Sequence, residues 1–107
     1  MVEIFLIDEV VRKRRIFDEN GVPEDITSPK IKARVEDYNK MIRDYKGQEM
    51  MGQMLIIVKP GEDFTYEDLI LIKKKNGVAY PQPNKEFAIK KIENAAGFFA
   101  SQKEIYL

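Results

Sequence analysis

The sequence predicts a mainly β protein, a small antiparallel β-barrel with long loops, and two observations support this fold class. Short apolar or alternating segments recur along the 107 residues, and turn residues separate them at intervals of roughly ten to fifteen residues. The turns themselves are explicit: residues 19–23 (ENGVP), 59–63 (KPGED) and 75–77 (KNG) place Gly or Asn where φ must become positive and Pro where φ is preset. We therefore expect one domain spanning residues 1–107.

Strands are predicted at residues 11–17, 54–59, 69–74, 78–80, 87–92 and 104–107. The runs LIIVK and LILIK would also suit a buried helix. They are short, rich in β-branched residues and bounded by turn residues, so their length favours strand. Asn76 followed by Gly77 is the best hairpin signal in the chain.

The segment from residue 28 to residue 47 is ambiguous. In a helix, Ser28 would be the N-cap, Pro29 the first helical residue and Gly47 the residue after the C-terminal end. Apolar residues at helical spacing lie between them. The same segment also contains IKARVE, which alternates with the period of a strand, and NKMIRDYKG, which suits a turn, a short strand and a second turn. Local chemistry alone leaves one short helix and strand equally open.

Composition excludes several classes of function. The 18 basic residues balance 18 acidic residues, so the net charge of the chain does not predict binding to a polyanion such as nucleic acid. The absence of cysteine excludes disulfides and thiolate metal sites, and the absence of histidine removes the commonest general base. We predict no catalytic residues, metal site or cofactor. No apolar run reaches the roughly 18 residues of a spanning helix, and the acidic start does not suit a signal peptide, so we expect a cytoplasmic site of synthesis with no membrane partner.

Two basic runs are the candidates for an interface or for contact with DNA: Arg12, Lys13, Arg14 and Arg15, and Lys73, Lys74 and Lys75. Together with Phe17 and Tyr80 they would form the basic and aromatic face of a small β-barrel that binds single-stranded nucleic acid. The blander interpretation, which we favour, is that they are solvated residues that protect a strand edge.

Met50 and Met51 lie side by side between Gly47 and Gly52, followed closely by Met54. Methionine fills irregular gaps in cores, and it also forms adaptable contact surfaces. The residues alone favour neither interpretation.

Read in order, the segments form a recognisable series. A basic first strand, VVRKRRIFDENG, ends in an Asp-x-x-Gly turn, and IKARVEDYNKMIRDYKGQE is similar to a second strand with its hairpin. MLIIV, YEDLILI with its Tyr-x-Asp step, NGVAYP and FFASQKEIYL follow as further strands and hairpins. This series resembles the small head-completion proteins of tailed phages and prophages, called stoppers or head-tail joining proteins. The likeness covers about residues 11–107, and residues 1–10 are then an added N-terminal arm.

The resemblance implies a non-enzymatic virion protein, assembled in the host cytoplasm, that forms a homo-oligomeric ring beneath the portal and adaptor. Such a ring retains packaged DNA, contacts that DNA in its channel without sequence specificity and offers a docking face to tail-side proteins. The family's final strand corresponds to the end of this chain, with Ile105, Tyr106 and Leu107.

In such rings an excursion between the second and third strands projects into the channel. The residues that match it by position are Lys46, Gly47, Gln48, Glu49, Met50, Met51 and Gly52. The two glycines would then be pivots of a movable loop. The resemblance also favours strand over helix for residues 31–45, because tertiary context overrides helix propensity.

Overall fold

The computed structural model describes residues 6–95 and 102–107. Within these ranges the chain forms strands and no helix, which confirms the mainly β prediction. The strands are β1 (Asp8–Phe17), β2 (Pro23–Thr27), β3 (Ile31–Asp37), β4 (Met41–Arg43), β5 (Glu49–Met51), β6 (Met54–Val58), β7 (Leu69–Lys75), β8 (Val78–Ala79), β9 (Glu86–Ala88), β10 (Lys91–Ala95) and β11 (Gln102–Tyr106).

Nine of these strands form one antiparallel sheet. The order along it is β10, β11, β6, β3, β1, β7, β8, with β2 also paired to β1 and β9 to β7. Strands β4 and β5 form a separate two-stranded hairpin. Hydrogen bonding in the described part of the chain leaves β10 and β8 at the two ends of the sheet, so a closed barrel is not confirmed.

Strand β6 explains how the core is organised, because it is buried on both faces. Ile56 and Val58 belong to the main core, whereas Leu55 and Ile57 belong to a second cluster. An uninterrupted apolar run is what such a strand requires. The other main-core residues come from alternate positions of several strands and nearby loops: Val10, Ile31, Ala33, Val35, Phe64, Ile70, Ile72, Phe87, Ile89, Ile105 and Leu107.

The ambiguous segment is strand, as the resemblance favoured. Ile31, Ala33 and Val35 are buried at alternate positions of β3, so the period of two prevails over the helical spacing. Ser28 caps no helix. Its Oγ instead accepts a hydrogen bond from the Arg12 backbone N at 3.0 Å, and its own backbone N donates to the Arg12 carbonyl at 2.8 Å.

The prediction of an N-terminal arm is wrong for residues 8–10, which begin β1 and pair with β3. Asp8 is 2% exposed, and its carboxylate accepts hydrogen bonds from the backbone N of Val35 and of Gly77, both at 2.9 Å. This part of the strand was not predicted because an acidic residue, Asp8, occupies a buried position, where backbone hydrogen bonds satisfy its carboxylate. Residues 1–5 of the predicted arm lie outside the described residues.

Strand ends differ from the prediction by one or two residues in several places, and two larger differences remain. Strand β2 was not predicted, because all five of its residues are exposed and it therefore shows no apolar alternation. The strand predicted at residues 87–92 is divided into β9 and β10. The hairpin at Asn76 and Gly77 is confirmed, since both residues have positive φ, at 56° and 78°.

Candidate functional site

The residues expected to form a channel excursion lie in the hairpin of β4 and β5. Its register places Met41 opposite Met51, Ile42 opposite Met50, and Arg43 opposite Glu49. The remaining candidates, Lys46, Gly47 and Gln48, form its turn, and Gly52 follows β5.

Asp44 builds this turn. Its Oδ1 accepts hydrogen bonds from the backbone N of Lys46 at 2.9 Å and of Gln48 at 2.8 Å. Gly47 has a φ of +82°, which a residue with a side chain rarely adopts. The sequence signal for this tight turn was therefore Asp44 together with Gly47.

Strand alternation gives the two adjacent methionines different environments. Met50 and Ile42 face inward and pack in the second cluster, beside Leu55, Ile57 and Tyr106. Met41 and Met51 face outward and are 60% and 53% exposed. Met50 is thus a core filler, and Met51 belongs to an exposed thioether pair.

The β4–β5 hairpin is fastened to the body at several points. The backbone N of Tyr45 donates to the Lys90 carbonyl at 3.1 Å, and Lys90 Nζ donates to the Met51 carbonyl at 3.0 Å. The Tyr45 ring stacks on Tyr66 with 4.2 Å between centroids. Tyr66 is itself held, because its hydroxyl accepts a hydrogen bond from the Ile92 backbone N at 3.1 Å.

Gly52 has a role in packing, and its φ is not positive. It is buried, and its backbone N donates to the Lys40 carbonyl at 2.9 Å. A Cβ there would lie 3.1 Å from Cδ1 of Tyr38, so the position requires a close approach. Gly52 is therefore packed closely against Tyr38 and Lys40, and it is not a free pivot in this structure.

Strand alternation also divides the first basic run. Arg14 makes two hydrogen bonds to the Asp68 carboxylate, at 2.7 and 2.8 Å, and a third to Asp63 at 3.2 Å. Arg12 donates to the Asp63 carbonyl and lies over the Phe64 ring. Both arginines therefore hold the loop between β6 and β7.

The Asp68 side chain is fully buried, and it is the most closely held carboxylate of this group. Burial opposes its ionisation, but the hydrogen bonds from Arg14 and from the backbone N of Thr65 outweigh that effect and lower the pKa of Asp68. The hydrogen bonds that Arg14 makes to Asp68 and, to a smaller extent, to Asp63 raise the pKa of the Arg14 guanidinium.

Lys13 and Arg15 point to the other face of β1. Lys13 Nζ lies 2.6 Å from Glu86 and 3.6 Å from Asp25, and the hydrogen bond to Glu86 raises the pKa of Lys13. Arg15 Nε lies 3.1 Å from Asp25, and this hydrogen bond lowers the pKa of Asp25. These pairs are exposed to solvent, so each contributes little to stability.

The second basic run lies at the opposite end of the β1–β7 pairing. Lys13 is opposite Leu69, whereas Lys74 is opposite Glu9, which separates Lys13 from Lys74 by about 13 Å along the strands. Lys73 donates to the Pro83 carbonyl at 2.7 Å, Lys74 lies 3.9 Å from Glu9, and Lys75 bonds Asp37. The structure does not bring the two runs into one basic face.

The predicted aromatic partners are also apart. Phe17 is 66% exposed at the end of β1, and Tyr80 packs against the main core. The final-strand candidates Ile105, Tyr106 and Leu107 are all buried. Ile105 and Leu107 pack in the main core and Tyr106 packs in the second cluster. Burial and the nearby Glu104 carboxylate raise the pKa of Tyr106.

The sequence predicts the turn at residues 19–23 but not β2, the second strand of the hairpin with β1. Strand β2 pairs with β1 from Lys13 opposite Thr27 to Phe17 opposite Pro23. The turn is held by Asp18, whose Oδ1 accepts hydrogen bonds from the backbone N of Asn20 and Val22. The hairpin carries four exposed apolar side chains: Ile16, Phe17, Val22 and Ile26.

A basic cleft of about 370 Å³ opens at the base of this hairpin. Its lining residues are Arg12, Ser28, Pro29, Lys30, Ile31, Lys32, Lys59 and Glu62. No three His, Cys, Asp or Glu side chains within residues 6–95 and 102–107 are grouped to hold a metal ion. The same described residues contain no helix of the length and apolarity needed to cross a membrane.

No protein-family model matches the chain, and neither a curated protein nor a solved structure matches it.

Proposed function

We propose that the chain is a non-enzymatic virion structural protein, a head-tail connector subunit of the stopper kind. Copies of it form a ring below the portal and adaptor, retain packaged DNA and provide a docking face for the tail. Its partners are then further copies of itself, portal-side and tail-side proteins, and the DNA in the channel, which it contacts without sequence specificity. The subunit is assembled in the host cytoplasm and acts in the virion.

The observation that carries this proposal is the β4–β5 hairpin. It occupies the chain position of the channel excursion that the resemblance implies, and it is a sheet of its own. Its inner face is packed, while Met41 and Met51 lie opposite each other on the outer face and are exposed. Flexible thioether side chains suit contacts that must form and repack, as between symmetry-related subunits around a channel.

The finer prediction of a closed β-barrel belongs to the same proposal. Closure would have to bring together β10 and β8, the ends of the sheet. The order of the strands supports barrel closure. The order that the resemblance implies is followed by three features: a long basic first strand, a hairpin after the second long strand and the tight Asn76-Gly77 hairpin.

Nucleic-acid binding is the other candidate, and the described contacts favour it less. Each cation of the two basic runs already contacts an oxygen of the chain, as with Arg14 and Asp68 or Lys75 and Asp37. Binding of phosphates by these residues would have to replace those contacts. A titration of the chain with single-stranded DNA tests this second candidate: tight binding that weakens steeply with added salt would favour it, and the absence of binding at low salt would exclude it.

The test of the connector proposal is a null allele in the phage or prophage that carries the gene. We expect capsids that fill with DNA and then lose it, together with free tails, and restoration by the gene supplied in trans. A yield of infectious tailed particles equal to that of the parent would overturn the proposal.

Point variants then test the role of the hairpin. The double variant Met41→Lys, Met51→Lys should give particles that leak DNA, because the apolar contact between copies is lost. Val78→Lys is the matched control, since Val78 is 65% exposed on β8, outside the hairpin. Equal DNA retention by the two variants would remove the gating role from this hairpin.

A further inference from the structure

The β1–β2 hairpin is a ribbon that carries exposed apolar side chains and that no other layer covers within the described residues. All five residues of β2 are exposed, and among the described strands β2 pairs with β1 alone. The exposed apolar side chains are Ile16 at 37%, Phe17 at 66%, Val22 at 55% and Ile26 at 48%. A two-stranded ribbon is only marginally stable in water. Ile16 and Ile26 share one face of this ribbon, and Phe17 lies on the other.

The end of the ribbon is also acidic. The charged residues between positions 17 and 25 are Asp18, Glu19, Glu24 and Asp25, with no cation among them. Asp25 is paired with Arg15 and Lys13 inside the chain. The end of the ribbon therefore combines apolar side chains with the acidic side chains of Asp18, Glu19 and Glu24.

The basic cleft has the complementary character. Its lining includes four cations and one carboxylate, Glu62, and the apolar side chains of Pro29 and Ile31. Lys32 is exposed, and the side chain of Lys30 is 68% exposed even though it lies 3.5 Å from Glu9. Surfaces of opposite charge steer association and fix its register.

The hairpin does not reach the cleft of its own chain. The cleft lies at the base of the hairpin, where Ser28 N bonds the Arg12 carbonyl, and the turn begins about five residues further along β1. Five residues of strand span about 17 Å, so only a second copy brings a turn to this cleft. Pro23, Glu24 and Asp25 on β2 also disfavour the addition of another strand at its free edge, which leaves side-chain docking.

We propose that the β1–β2 hairpin of one copy docks in the basic cleft of the next. Two different patches on each chain give a heterologous contact, which closes into a ring when the rotation allows it. This inference rests on the proposed function, because a ring subunit must meet its neighbours through two such patches.

Cysteine crosslinking tests the contact directly, because the chain contains no cysteine. Full-length Glu24→Cys and Lys32→Cys are purified, mixed in equal amounts and treated with a short bismaleimide over a range of concentrations. We expect the mixed product joining positions 24 and 32 in severalfold excess over both homodimers. Val78→Cys mixed with Lys32→Cys is the control for an exposed residue far from the hairpin.

Charge exchange gives the second readout. In sedimentation velocity, Lys32→Glu should weaken self-association about tenfold, as for the loss of an interfacial charge pair, and Glu24→Lys in the same chain should restore it. Phe17→Ser should weaken self-association without changing the unfolding transition.

Several results would overturn the inference: a 24–32 product no more abundant than the 78–32 product, a dominant 24–24 product, or a chain that forms no product at any concentration. The proposed function fails separately. If the chain is required for DNA retention but the 24–32 crosslink does not form, only the docking contact is wrong. If the crosslink forms but capsids retain their DNA without the chain, only the connector role is wrong.

Discussion

The two hairpins that lie beside the core differ in what holds them. The β4–β5 hairpin is held by apolar packing of Ile42 and Met50 and by the stacking of Tyr45 on Tyr66. The β1–β2 hairpin has no buried residue beyond its base, where Arg14 binds Asp68. The exposed apolar side chains of the two hairpins therefore differ in their structural setting. On β4–β5 they form the outer face of an element that is already anchored, whereas on β1–β2 they lie, next to acidic side chains, on an element with no buried residue beyond its base.

The largest effect should follow from weakening the apolar anchor. Ile42→Ala should lower the free energy of unfolding by about 2–4 kcal/mol, because it removes a buried side chain between the hairpin and β6. Ile26→Ala, an equal truncation on the exposed ribbon, should cost less than about 0.5 kcal/mol. Urea denaturation of both variants measures the contrast, and equal losses would contradict the distinction between the hairpins.

The polar anchor should respond to pH. Asp68→Asn should cost about 2–3 kcal/mol near neutral pH, because Arg14 loses a fully buried carboxylate partner. Asp63→Asn is the matched control, since Asp63 contacts the same arginine but its side chain is 70% exposed, and its loss should cost less than about 0.5 kcal/mol.

The sign of the pH effect follows from the lowered pKa of Asp68 in the folded chain. The stabilisation is fully present above the pKa of an unfolded aspartate, about 3.9, and it is lost as the pH falls through the folded pKa. The difference in stability between the parent chain and Asp68→Asn should therefore stay constant above about pH 5 and shrink below about pH 4. A difference that grew in acid would contradict this assignment.

A smaller effect is expected at the end of the β4–β5 hairpin. Tyr45→Ala removes the stacking on Tyr66 and should cost about 1 kcal/mol. Hydrogen exchange should show faster opening of β4 and β5 with little change in β1. Uniform acceleration across both hairpins would mean that the stacking contact does not fasten this hairpin locally.

The smallest effect on stability should come from the ribbon itself. Ile16→Ser combined with Phe17→Ser should leave the free energy of unfolding within about 0.5 kcal/mol, because both side chains are exposed. Thermal unfolding measured at low protein concentration, where copies are apart, gives this value. A large loss there would mean that the ribbon packs within its own chain.

Sequence alone predicted the elements whose burial leaves a pattern. β6 and β7 are apolar runs of strand length. Asn76 and Gly77 supply the positive φ that the turn between β7 and β8 requires. β2 could not be predicted, because an exposed strand shows no alternation. The β3 strand required tertiary information, since its residues satisfy both the helical and the strand period.

The candidate site was predicted only in part. The position of the Met50 and Met51 segment suggested its importance, but their opposite environments depend on the register of β5 against β4. Likewise, four consecutive cations indicate a charged surface, whereas the carboxylates that pair with them come from distant parts of the chain, such as Asp68 and Glu86. Charge pairing of that kind is a property of the fold and leaves no local signal.

The buried carboxylate of Asp8 has a consequence for the alignment of three strands. It bonds the backbone of β3 through Val35 and the turn after β7 through Gly77. A slip of β1 by one residue would turn every side chain of that strand to the other face and leave these two N–H groups without their acceptor. Asp8 thus helps to fix the register of β1, because any other alignment of this central strand would lose both hydrogen bonds and raise the free energy of the fold.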